Sequence, residues 1–456
     1  MNNICDLYPK KLVESKGNFR ALTVCRRLLR DAWLTRSTPI KLKRDSVLLW
    51  EKVFAVTGLF LSTYAVIPLL RKKSGIVFDP FEGDIMMQAL WAGIYTITFF
   101  LFLSRFRQVA RVAFLDKFLW VLLGLAFASI IWSEAPVVTL RRSVALLGTT
   151  AFGIYLAACY TRQELLKLLL WALGLSAVLS VVFVLFLPSY GIHTRSYFAL
   201  QGVYENKNIL GCFMALAAIT WLLYSFSQNK GRMMGFVFCV ISITLLFLSK
   251  SITALVVFLL LLIFLLIFFV NRYYNIWAVR PIILITLAVG SLLIRLFNNL
   301  EIVLNVLGRD ATLTGRTIIW REVWDLILQH PWLGYGYSAF WLGWKGPSSY
   351  IWDVLPSKVI SAHCGYLDLW LQLGLVGVIV FMISYFINIF KAQSLLRKNK
   401  SLEEMFPLLF FLFILIYNIP ESALLVQNSL FWILYVAISI QLNIKKNNKT
   451  KNCSMT

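Results

Sequence analysis

Residues 252–271 read ITALVVFLLLLIFLLIFFVN, with no Asp, Glu, Lys or Arg among them. At a rise of about 1.5 Å per residue, a helix of this length matches a bilayer core roughly 30 Å thick. Working outward, similar apolar runs lie at 47–71, 84–103, 114–133, 137–159, 164–187, 206–226, 232–248, 279–298, 365–390, 405–418 and 424–443. The eleventh in chain order, 405–418, is short, and 232–248 nearly fuses with 252–271. Composition agrees, with 59% hydrophobic and 14% charged residues and a mean hydropathy of +0.76. Soluble domains lie far from these values. The expectation is an all-α polytopic membrane protein with about twelve transmembrane helices. Its parts are a basic tail at 1–46, helices 1–9 over 47–298, a large outer loop at 299–362, helices 10–12 over 363–443, and a second basic tail at 444–456.

A net charge of +23 raises the question of nucleic acid, but its distribution answers no. Lysines and arginines gather in alternate connections, as the positive-inside rule requires. With a cytoplasmic N-terminus, the inner segments hold the basic tail, Arg105, Arg107, Arg111, Lys117, Arg162, Lys167, Lys230, Arg232, Arg272, Arg280, the Lys391–Lys400 group and the C-terminal lysines. Both termini are then cytoplasmic. Arg71, Lys72 and Lys73 dissent, falling on the outer side. Residues 1–46 lack the compact apolar core of a signal peptide. The seven cysteines show neither a disulfide framework nor metal-ligand spacing.

Chemistry is expected in the two long outer connections, 188–205 and 299–363. A transporter built of two halves would place its long connection between spans six and seven, where only SFSQNKGR stands. In the larger loop, TGRTIIWREVWDLILQHP predicts a helix capped by Thr314 and stopped by Pro331, with an Arg321–Asp325 pair. Its apolar face (Ile319, Trp320, Val323, Trp324, Ile327) predicts that it lies along the outer surface with its tryptophans among lipid headgroups. Arg316 in the first turn stands where unpaired N–H groups and the helix dipole favour an anion such as a lipid-linked phosphate. Snorkelling to headgroups is the other reading. HPWLGYGYSAFW follows, a glycine- and aromatic-rich turn. Trp320, Tyr335, Tyr337 and Trp341 are candidates for stacking on sugar rings, and the competing role is structural.

Further cations on the outer side are Arg141 and Arg142, Lys250, and Arg195 and Lys207. Acids such as Asp310, Asp353, Asp368, Glu205 and Glu421 are scattered singly, with no paired carboxylates for magnesium. This favours an anion site in which Arg and Lys neutralise a diphosphate, without metal or cofactor. Of the three histidines, His330 and His193 are undistinguished. His363, opening span ten at the outer surface, reads either as a proton acceptor or as a helix-start residue. Neighbouring Cys364 points about 100° away on a helix and is no catalytic partner.

GVYENKNILG, LSKSITAL, LTGRTIIW with HPWLGYGYSAFW, and SAHCGYLDLWLQLGLVG together resemble the O-antigen ligase and polymerase family of bacterial envelope glycosyltransferases. Within that family they are most similar to the exopolysaccharide production (ExoQ) branch. The resemblance implies glycan transfer from undecaprenyl diphosphate to a sugar hydroxyl, on a glycan or lipid-linked acceptor, at the periplasmic face of the inner membrane. It implies His363 as general base and Arg316 as diphosphate ligand, and leaves open whether Lys250 or Arg195 supplies the second phosphate contact; Arg141, by its place just inside the outer turn, is a further candidate. Cys364 stands where the family commonly has Asn, and Ile252 where a basic residue often follows S-x-S, the cation being displaced to Lys250. Polymerisation of repeat units is the first expectation, ligation to lipid A core the second, and transport of lipid-linked sugars the third.

Overall fold

The computed structural model describes residues 47–65, 85–193, 199–228, 231–273, 316–355, 358–398 and 401–444. The expected basic tails, the span at 279–298, loop residues 299–315 with Asp310 and Thr314, the Arg71–Lys73 triplet and Arg195 lie outside them.

Apolar composition is realised almost wholly as helix, since only helices satisfy their own backbone groups in hydrocarbon without closing a barrel. In chain order the helices longer than the four-residue turn Pro188–Gly191 are α1 (Leu49–Leu61), α2 (Ile85–Ser104), α3 (Phe106–Ala113), α4 (Lys117–Ala128), α5 (Pro136–Cys159), α6 (Arg162–Phe186) and α7 (Lys207–Ser227). Then come α8 (Arg232–Leu248), α9 (Ile252–Tyr273), α10 (Arg316–Gln329), α11 (Ser349–Val354), α12 (Gly365–Lys398), α13 (Phe406–Tyr417) and α14 (Leu430–Asn443). One two-residue antiparallel pair joins Ile192–His193 to Ala199–Leu200 between α6 and α7.

Local signals place the boundaries. Thr161 and Glu164 form a capping box at the start of α6, and Pro136 occupies the first turn of α5, where a missing N–H costs nothing. Asp116 and Asn206 accept N–H groups at the starts of α4 and α7. Among the described residues, α2, α5, α6, α7, α9 and α12 are long and apolar enough to cross a membrane. The chain is therefore an all-α, multi-pass membrane protein. The expected span at 114–133 is found as Lys117–Ile131, and a short helix ahead of it, Phe106–Ala113, meets it at a bend of 87°. The bend falls where Asp116 leaves the helix to cap the next one.

Large side chains such as Phe99, Phe100, Val240 and Phe390 are exposed, as lipid-facing positions demand. Small residues mediate close approach inside. A Cβ on Gly153 of α5 would lie 2.9 Å from Val436 and 3.0 Å from the Ile433 carbonyl of α14.

Polar ties mark two opposite ends. At one, Arg105 grips Glu51 bidentately at 3.0 and 2.7 Å, and the Tyr155 hydroxyl adds a bond of 2.9 Å. There too Arg162 bonds Glu404 at 2.6 Å and the Gln441 carbonyl at 3.0 Å, and Lys391 bonds Asn443. At the other end, the end of α1, the start of α5, residues 316–355 and 358–364, the start of α12 and the connection 418–429 meet. Leu430 N–H donates to Ser62 O, and Asn428 N–H to Thr149 Oγ1. Tyr64 and Tyr337 donate to the carbonyls of Gln427 and Leu425, and Tyr95 to the Asn428 side chain. These bonds hold 418–429 irregular, so α14 begins at Leu430 instead of the expected 424.

Candidate functional site

Residues 316–355 and 358–364 build a small core with the start of α12. Ile319, Val323, Leu326 and Ile327 recur on one face of α10 and pack with Tyr335, Phe340, Ile351, Ala362 and Leu371. That face is covered by protein. Trp320 is half-buried and donates its indole N–H to Ala362 O at 2.9 Å, whereas Trp324 is exposed and meets Trp370 edge-on. The expected pair between Arg321 and Asp325 is replaced by Arg321 with Glu322 at 3.3 Å.

Below this core α12 is broken. Gly374 has φ 64° and ψ −172°, a region open essentially to glycine alone, and a Cβ there would run into the Trp332 carbonyl. The break takes Leu371 O and Gln372 O away from the amides of Leu375 and Val376. HPWLGYG inserts and satisfies all four groups. Tyr335 N–H donates to Leu371 O at 2.8 Å and Gly336 N–H to Gln372 O at 3.1 Å. In return Leu375 N–H donates to Pro331 O at 2.9 Å and Val376 N–H to Trp332 O at 3.3 Å. The far side of the insert is held by Glu134 N–H on Tyr335 O, Ser129 Oγ under Tyr337 N–H, and Arg142 Nη1 on Ser338 O at 2.7 Å.

This scaffold presents the peptide before α12. Ala362 is gripped on both sides, its N–H donating to Asp368 Oδ1 at 3.0 Å and its carbonyl accepting from Trp320. Trp341 Nε1 donates to the same Asp368 oxygen at 2.7 Å. His363 therefore sits outside the helix in a left-handed conformation, φ 49°. Cys364 occupies the N-cap position, with the N–H groups of Tyr366 and Leu367 directed at its sulfur. Burial pushes the Cys364 thiol above its ordinary pKa. Gly365 N–H donates to Asn418 O at 2.9 Å and Glu421 O at 3.0 Å, which ties this peptide to the α13–α14 connection.

That tie brings Glu421 between the two residues singled out from sequence. Its Oε1 lies 2.7 Å from Arg316 Nη2, and its Oε2 lies 3.7 Å from His363 Nδ1. The side chains of Arg316 and Glu421 are only 12% and 15% exposed, and that of His363 is 37% exposed. An ion pair so shielded keeps more of its Coulombic strength than one in open water. The arrangement offers a cation for an anionic group, an imidazole for a proton, and a carboxylate within reach of both.

The other candidates are dispersed. Lys250 is exposed, with φ 51°, on the turn joining α8 to α9; Ser249 and Ser251 of that turn pack against Gly211 in the first turn of α7. Arg141 is half-buried in α5. Tyr337 is 0% exposed and Tyr335 5%, and their hydroxyls donate to Leu425 O and Leu326 O. Their rings are packing elements of the inserted turn, a correction to the sugar-stacking expectation. Burial also pushes the Tyr335 phenol up to about 12. Trp320 and Trp341 keep partial exposure, but their indole N–H groups are committed to Ala362 O and to Asp368 Oδ1, the groups that set the His363 backbone. Glu421 and Asp368 carried no signal beyond being isolated acids in sequence, because their partners lie on other elements.

Residues 237–382 match the family model described as O-Antigen ligase. The matched region takes in Lys250, Arg316, the inserted turn, His363 and Gly374. The chain is also 22% identical over 296 residues to the Exopolysaccharide production protein ExoQ of Rhizobium meliloti (strain 1021), a match covering 58% of this chain and 62% of that protein. The chain thus spans less than two thirds of that relative. Both findings support the resemblance to the O-antigen ligase family, with an ExoQ-like character.

Proposed function

We propose that this chain is a membrane glycosyltransferase that moves a glycan from undecaprenyl diphosphate to a sugar hydroxyl, polymerising exopolysaccharide or O-antigen repeat units. The observation that supports this most is the sharing of one carboxylate by His363 and Arg316, residues far apart in sequence, at 3.7 and 2.7 Å. His363 takes the proton of the acceptor hydroxyl as its oxygen bonds to the anomeric carbon. The bond from that carbon to the diphosphate oxygen breaks, and the departing charge falls to Arg316, with Lys250, Arg195 or Arg141 as further cations. Charge neutralisation is assigned to these side chains and no metal is invoked.

The reading has twelve spans with the site on the periplasmic side of the inner membrane and both termini in the cytoplasm. Its support is the gathering of Arg105, Arg162 and Lys391 at the helix ends opposite His363, as the positive-inside rule expects for a cytoplasmic face. The family description favours a second reading, ligation of a finished polysaccharide to lipid A core. A deletion strain separates the two: single repeat units on lipid A mean a lost polymerase, and free polymer on undecaprenyl diphosphate a lost ligase. Complementation of that strain with His363→Ala or Arg316→Ala is expected to give no product. Full product with His363→Ala would replace the enzymatic reading with a carrier of lipid-linked sugars.

A further inference from the structure

We propose that Glu421 is a positioning residue that couples the proton acceptor to the donor, releasing Arg316 to a diphosphate and then turning its carboxylate onto His363. This rests on the roles proposed for His363 and Arg316.

The backbones on both sides are fixed. Gly365 N–H holds Glu421 O at 3.0 Å, and Asp368 and Trp320 hold the Ala362 peptide that sets His363. What remains to move is the Glu421 side chain. In the structure it bonds Arg316 at 2.7 Å and stops at 3.7 Å from His363 Nδ1, about 0.5 Å or more beyond an ordinary hydrogen bond. A diphosphate reaching Arg316 competes for the same guanidinium donors, and two oxyanions on one cation in a shielded site repel each other. The carboxylate then has a nearby alternative in Nδ1–H. A bond there leaves Nε2 as the nitrogen with the lone pair and stabilises the imidazolium that forms when the acceptor hydroxyl gives up its proton.

Among the described residues, the other titratable groups around this pair leave the exchange to Arg316 and His363. Asp368 of α12 interacts electrostatically with His363, but its oxygen is engaged by Trp341 and Ala362 N–H. Tyr417 of α13 and Cys212 of α7 feel the charge of Glu421 without being cations, and Cys364 is a half-buried thiol whose burial pushes its pKa up. A pair present only for stability would need no second oxygen aimed at the imidazole. The coupling has a use: His363 becomes a strong acceptor only once a donor is in place.

The test is Glu421→Gln in full-length protein in nanodiscs, assayed for transfer and for binding of undecaprenyl diphosphate. Glutamine keeps the shape but competes less for Arg316 and gives His363 no charge. Undecaprenyl diphosphate is expected to bind several-fold more tightly. Turnover is expected to fall by roughly 10²-fold or more, as when a carboxylate that orients a base histidine is neutralised, and the acid limb of the pH–rate profile is expected to move to lower pH. Weaker lipid binding, or unchanged turnover and pH profile, overturns the proposal. Should the variant fail to fold, the His363 imidazole is followed by NMR in labelled wild-type protein, assigned through His363→Gln. Undecaprenyl diphosphate should move the Nδ1–H resonance downfield as the carboxylate closes from 3.7 Å to hydrogen-bond distance, and an unchanged resonance refutes the coupling. Loss of transfer in His363→Ala alongside a normal Glu421→Gln would sink this proposal alone, whereas normal transfer in His363→Ala would sink the base assignment beneath it.

Discussion

Substituting Gly374 by alanine probes the device that positions the site. The residue lies at φ 64° and ψ −172°, where any side chain costs about 1–3 kcal/mol. Its Cβ would also meet the Trp332 carbonyl, so the inserted segment must withdraw. Withdrawal breaks the four bonds made by Tyr335, Gly336, Leu375 and Val376, whose lengths run from 2.8 to 3.3 Å, at about 1 kcal/mol each in net terms. Partial re-formation of the helix recovers some of this, which leaves a destabilisation of about 3–6 kcal/mol. At roughly 2 °C per kcal/mol for a large domain, the apparent Tm by tryptophan fluorescence in nanodiscs should fall by about 6–12 °C. Trypsin should also cut faster at the exposed Lys345 and Lys358, since both lie in the segment that the insertion anchors. A Tm within about 2 °C of wild type together with unchanged cleavage would refute the claim that HPWLGYG completes the broken helix.

Cys364→Asn supplies a better N-cap than a thiol and should raise stability by about 0.5–1 kcal/mol, read as a higher Tm; a lower Tm would contradict the capping role. Because burial holds the wild-type thiol above its usual pKa, the thiol form stabilises the fold below the ordinary value and that contribution is lost as pH rises through the folded one. Alkylation of Cys364 by iodoacetamide should accordingly be slow near neutral pH and accelerate at higher pH than for a free thiol. Glu51→Gln removes the charge facing Arg105, where the two side chains are 3% and 10% exposed, and should cost about 3–5 kcal/mol, measured as lost folded yield on size-exclusion chromatography. Trp341→Phe deletes the 2.7 Å bond to Asp368 but keeps a ring. On the proposed function, turnover should drop while undecaprenyl diphosphate binding stays within twofold, and an equal loss of both would count against a role confined to the His363 peptide.

The apolar periodicity of single segments carried much of the architecture. The run marked at 137–159 is α5, Pro136–Cys159, and 252–271 is α9, Ile252–Tyr273. Breaks inside apolar runs were not legible. LQLGLVG reads as uninterrupted helix because one glycine in a helix costs only about 1 kcal/mol. What interrupts it is the Pro331–Gly336 segment, whose amides and carbonyls make the broken form competitive. In the same way 424–429 looks like the start of a span until Tyr64, Tyr95 and Tyr337 from three other segments are seen to hold it open. Tyr335 and Tyr337 show the converse. As aromatics in a long loop they invited a surface role, but the need to fill and satisfy the break buried them.

The site divides along the same line. His363 and Arg316 stood out as candidates, Arg316 because a helix start favours an anion and His363 through the distinctive motif around it. Glu421 did not, since an isolated acid in the turn IPES has no local signature. Its relevance comes from Gly365, whose N–H captures the carbonyls of Asn418 and Glu421 and so brings the acid to the histidine. A Cβ on Gly365 would collide with the Asn418 side chain, so the residue two places after His363 must be small for this approach to occur. SAHCGYLDLW therefore encodes more than the proposed base. Asp368 and Ala362 set its backbone, Cys364 starts the helix behind it, and Gly365 admits the carboxylate that joins it to Arg316.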